Sequence, residues 1–104
     1  MSIFLTQQDF QLLDQHVRNE QYIYGNESSY TIQTYETILQ PLLNLIGHMI
    51  TIQLKTKIKS EEYKDGLLYN IDPETQTIYL INANNQQLQL IFFSAIKRLQ
   101  NMEE

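Results

Sequence analysis

Among its 104 residues the chain has no cysteine and no tryptophan, and only three glycines and two prolines punctuate it. The missing thiols exclude a disulfide framework and remove the ligand that structural zinc sites use most. No cofactor or metal is expected. No apolar run approaches the roughly 20 residues of a membrane helix, and Met1 to Leu5 is too short for the apolar core of a secretory signal. A soluble intracellular protein, cytoplasmic and nuclear, with no membrane partner is therefore expected. Positive charge is scarce as well: seven Lys and Arg stand against twelve Asp and Glu, a formal net charge of -5. Phosphate neutralisation needs clustered cations, so a dominant nucleic-acid surface is not expected.

What the chain does contain is globular material. Its hydrophobic content is 42%, with seven Tyr and four Phe, enough for one core in one domain. The acidity is uneven. Asp9, Asp14, Glu20, Glu27 and Glu36 precede Gly47 with only Arg18 to oppose them, whereas Lys55, Lys57, Lys59, Lys64, Lys97 and Arg98 follow it. The chain divides accordingly into an N-terminal helical extension over 1–34 and a second segment over 35–104.

Thr6 and Asp9 form a helix start, with a hydroxyl cap and an early acid, and Phe10, Leu13 and Val17 then recur at helical spacing. A first helix from Gln7 to about Glu20 is predicted, followed by a loop over 22–30. Thr34 is placed to cap a second helix that runs to Ile46, with a kink or a late start near Gln40 because Pro41 lacks an N–H. Gly47 ends it. Beyond Gly47 the period changes to two. Ile50, Ile52 and Leu54 share one face while Thr51, Gln53 and Lys55 take the other, the pattern of a half-buried strand. Residues 55–62 read as an exposed hairpin loop. A second strand rises from Tyr63 through Gly66 to the turn Asp72, Pro73, Glu74, Thr75, Gln76, and Thr77 to Ile81 returns as a third. Glycine inside a strand marks strong curvature or close backbone approach. Asn82 to Gln87 reads as the next turn, Leu88, Leu90 and Phe92 alternate as a fourth strand, and Ala95 to Leu99 makes a short fifth, before a frayed tail.

Gly66 followed six positions later by Asp72, with Pro41, Leu42, Gly47 and the alternation ending in Leu54, Lys55 upstream, resembles the Sm/LSm family. The likeness covers residues 35 to 99. It implies a mainly β fold with N-terminal helices: a five-stranded, strongly bent antiparallel sheet, a small open barrel, preceded by one or two α-helices. Ring-forming members hold RNA bases with an aromatic or His and an Asn in the first loop and an Arg-Gly pair in the second. Here the corresponding positions carry Glu74, Gln76, Phe92 and Phe93. Glu74 cannot stack and repels phosphate; one phenylalanine ring is expected in the core and the other on an exposed edge. Barrel kept and RNA motif lost is similar to the Sm-like Gemin subunits of the survival-of-motor-neuron complex, a likeness carried by Tyr63, Gly66, Asp72, Pro73, Ile78, Leu80, Asn82 and Ala95.

The resemblance implies a non-catalytic scaffold that pairs by edge strands with another Sm-like protein inside a ribonucleoprotein-assembly complex, without direct RNA binding. Family members join the fourth strand of one subunit to the fifth of the next. On that pattern Leu88, Leu90, Phe92, Phe93, Ala95, Ile96 and Leu99 are the expected partner interface. Phe10, Leu13 and Val17 either cover the barrel's open end or form a second interface. The competing expectation is a divergent LSm subunit of a hetero-oligomeric ring that touches RNA through Phe92 or Phe93. Enzymatic chemistry is not expected. His16 and His48 stand apart, Glu61 and Glu62 lie in a charged loop, and Asp72 is placed to order its own turn.

Overall fold

The alternation beyond Gly47 becomes a sheet in the computed structural model, which describes residues 3–22, 35–56 and 62–102. Its strands are β1 (Phe4–Thr6), β2 (Met49–Leu54), β3 (Glu62–Asp72), β4 (Thr77–Asn82), β5 (Leu88–Phe92) and β6 (Ile96–Asn101). All neighbours pair antiparallel, in the order β1-β6-β2-β3-β4-β5, as one open sheet. The protein is thus mainly β. Among the described residues six strands stand where five were expected, the additional one being β1. Three residues are too few to show a period, so no alternation signals it in advance.

Helix α1 spans Gln7–Tyr22. Its start is a reciprocal cap in which the Thr6 N–H and hydroxyl both donate to Asp9 Oδ2 (2.8 and 3.2 Å) while the Asp9 N–H donates to Thr6 Oγ1 (3.4 Å). Two donors at the helix N-terminus are thereby satisfied. Helix α2 (Gln40–Asn44) is entered through a π-helical turn over Tyr35–Leu39. The regular helix begins at the late position predicted from Pro41, which falls in its first turn and needs no N–H partner there. Gly47 leaves the turn after α2 with φ +91°, and its N–H donates to the Leu68 carbonyl (2.8 Å), tying the helix exit to β3. Thr34, the loop after Tyr22, residues 57–61 and the final two glutamates lie outside the described residues, as does the side chain of Val17.

One face of the sheet and both helices share a single core. Ile50 and Ile52 of β2, Leu68 of β3, Ile78 and Leu80 of β4, and Ile96 and Leu99 of β6 are fully buried, and Leu42 of α2 joins them. Phe10 and Leu13 of α1 are each 1% exposed within the same cluster. Of the two expectations for Phe10 and Leu13, they therefore meet the first, covering the core, and offer no surface for a second interface. Burial also reaches the opposite face at Gln53, which sits beside a register shift between β2 and β6. Gly66 faces Ile50 on one side and Asn82 on the other. A Cβ there would strike the Ile81 carbonyl oxygen, so the close backbone approach that an in-strand glycine predicts is the reason for this one.

Candidate functional site

The turn from β3 to β4 and the turn from β5 to β6 meet. The Phe93 N–H donates to the Gln76 carbonyl (2.8 Å), and Gln76 itself takes φ 56°, so its carbonyl closes the gap between the loops. Asp72 Oδ1 accepts from the N–H groups of Glu74 and Thr75 (3.1 and 3.4 Å), which is the turn-ordering use of an aspartate. Phe93 is 1% exposed and packs on Phe10, with ring centroids 5.5 Å apart and planes tilted by 54°. Helix α1 therefore seals this corner from the inside. Glu74 is left exposed at the surface, and its carboxylate offers neither a stacking plane nor an attraction for phosphate.

The neighbouring edge of the sheet has a different character. Phe93 bonds to Gln76 and the Asn82 N–H donates to the Gln87 carbonyl (2.9 Å), with Ile78 opposite Ile91 and Leu80 opposite Gln89 between them. Residues 87, 89, 91 and 93 thus exchange bonds with β4. Alternation along an antiparallel ladder turns the N–H and C=O groups of Leu88, Leu90 and Phe92 away from the sheet. Their side chains are 52%, 59% and 58% exposed, while Ile91 is buried between them. An open ladder edge flanked by three large apolar side chains is a template for an added strand. Leu88 also begins an apolar row across the sheet's outer face, through its successive register partners Ile81, Leu67 and Met49.

The other predicted interface residues are placed differently. Of the phenylalanine pair, Phe92 is the exposed ring and Phe93 the core ring, so Phe93 offers no surface to a partner. Ile96 and Leu99 are fully buried and Ala95 is half-buried; their side chains fill the chain's own core, which corrects the expectation of apolar anchors on the last strand. Nor is the last strand an edge. β6 lies between β2 and β1, with Leu5 opposite Leu99 and Thr6 opposite Arg98. The Arg98 guanidinium also lies over the Phe4 ring, 4.9 Å from its centroid. The functional feature that the sequence reading missed is this occupied edge, and its one legible sign was the apolar Ile3, Phe4, Leu5 immediately before the Thr6 cap.

Among the described residues no group of three or more His, Asp and Glu is placed to hold a metal ion, and no helix is long and apolar enough to cross a membrane. A cavity of about 410 Å³ lies between β1 and α2, lined by Phe4, Leu5, Glu36, Gln40 and Pro41 among others. It brings together no acid–base pair. The chain matches no protein-family model and no curated protein.

Proposed function

We propose that this protein is a non-catalytic Sm-like scaffold, which pairs through β5 with another Sm-like protein inside a complex that assembles Sm cores on small nuclear RNAs. The family part of this reading rests on the motif residues Gly66 and Asp72 with the strand pattern around them. The observation that carries the pairing is the β5 edge: backbone groups unpaired among the described residues, and three exposed apolar side chains at Leu88, Leu90 and Phe92, all on one strand. The corner where Sm proteins hold bases supports the same reading in the negative sense, because Glu74 is acidic and Phe93 is sealed under Phe10. A divergent LSm ring subunit, the alternative, needs two open edges, and β1 occupies one of them.

The test is recovery of the full chain from cell extract beside Leu90→Lys, with an oligo-uridine titration of the isolated chain. The expected result is a second small Sm-like protein in fixed ratio with the unmodified chain, absent with the variant, and no uridine binding. Tight, salt-sensitive binding to oligo-uridine would overturn the scaffold reading. A ring-sized assembly with LSm proteins in light scattering would favour the alternative.

A further inference from the structure

β1 occupies the outer edge of β6. The Met102 N–H donates to the Met49 carbonyl (2.9 Å) and the Asn101 N–H to the Ile3 carbonyl (3.2 Å). Arg98 and Gln100 of β6 therefore bond to β2, and Leu99 and Asn101 turn their backbone groups toward β1. Residues that exchange hydrogen bonds across an antiparallel pair present their side chains on the same face. Leu99 faces the core, so any strand laid on this side of β6 must bring an apolar residue opposite it. β1 supplies Leu5 there, 4% exposed, and Ile3 two residues earlier packs against the same core.

β5 carries the same arrangement on its free side. Leu88, Leu90 and Phe92 combine outward backbone groups with apolar side chains at intervals of two, as Ile3 and Leu5 do. We infer that the β6 edge is a strand-docking site which the chain fills with its own β1, and that the β5 strand of a second copy competes with β1 for it. Leu90 of that copy, opposite Leu99, takes the position that Leu5 holds, and one strand excludes the other because both need the same N–H and C=O groups. β1 is short, three residues held by a few ladder bonds and the Arg98 contact with Phe4, so its release is a local opening rather than global unfolding. With β1 seated, β5 is the one open edge among the described residues, and association through it stops at a pair. With β1 displaced, two complementary edges join head to tail and association continues. The inference takes in both edges of the sheet, β5 included, to which a partner is assigned above, and it is argued from ladder geometry rather than from the family reading.

The experiment is light scattering over a range of concentrations on the full chain, on Leu5→Pro, which removes the N–H and the side chain that seat β1, and on Leu5→Pro with Leu90→Lys. The unmodified chain should not grow beyond a dimer. Leu5→Pro should grow beyond it with concentration, and the added lysine should reverse that growth. A folded Leu5→Pro with the mass of the unmodified chain, or growth that Leu90→Lys leaves intact, would overturn the inference. Should Leu5→Pro not fold, hydrogen exchange of the unmodified chain decides: the Leu99 and Asn101 amides, bonded to β1, should exchange at least about ten-fold faster than those of Arg98 and Gln100, bonded to β2. Equal protection of the two sets overturns it.

Discussion

Adjacent in sequence, Phe92 and Phe93 have opposite surroundings, one ring exposed and the other buried. The strand ends between them, so the extended backbone at Phe92 leaves its ring at the edge while the following turn swings Phe93 under α1. Phe93→Ala should cost about 3–5 kcal/mol of stability in urea unfolding, as for other large buried aromatics. Phe92→Ala should change stability by no more than about 0.5 kcal/mol. That one ring is buried and one exposed was legible from the sequence; which is which was not, because it depends on the turn between β5 and β6 and on Phe10 arriving from 83 residues away in the chain. Gly66 was legible outright. The Ile81 carbonyl and the Leu80 side chain crowd the position a Cβ would take there, and Gly66→Ala should destabilise the fold by about 1–3 kcal/mol through overpacking against them.

At the scale of elements, local chemistry wrote the boundaries well. Thr6 and Asp9 start α1 where a hydroxyl and an acid three residues apart should, Pro41 delays α2 to Gln40, and Asp72 folds the turn that follows it. Thr6→Ala should lower stability by about 1 kcal/mol, visible as a shift of the urea midpoint with an unchanged slope. Non-local chemistry was less legible. The alternation of Leu88, Leu90 and Phe92 gave the strand but not its orientation, since a period of two is equally compatible with the apolar set facing the core or solvent. In the fold Ile91 takes the core side and the three others are exposed. β1 was missed for a related reason: its pairing with β6 joins residues almost a full chain length apart, and three residues carry no period. Because the Leu90 side chain is more than half exposed, Leu90→Lys should leave urea stability within about 0.5 kcal/mol while abolishing strand addition at β5.

At the scale of the whole molecule, the sheet has two ends with unlike treatment. One is covered by the chain's own first strand; the other displays, among the described residues, unpaired backbone beside apolar side chains, and the proposed absence of RNA binding draws on the net charge of -5 and the buried Phe93. The proposed pairing with a protein draws on that asymmetry. The measurement that bears on it most directly is amide hydrogen exchange of the full chain, alone and bound to the protein recovered with it. Slowed exchange at Leu88, Leu90 and Phe92 on binding, with Glu74 and Thr75 unchanged, is the predicted result. No change along β5, with protection appearing instead at Glu74 and Thr75 when oligo-uridine is added, would contradict it.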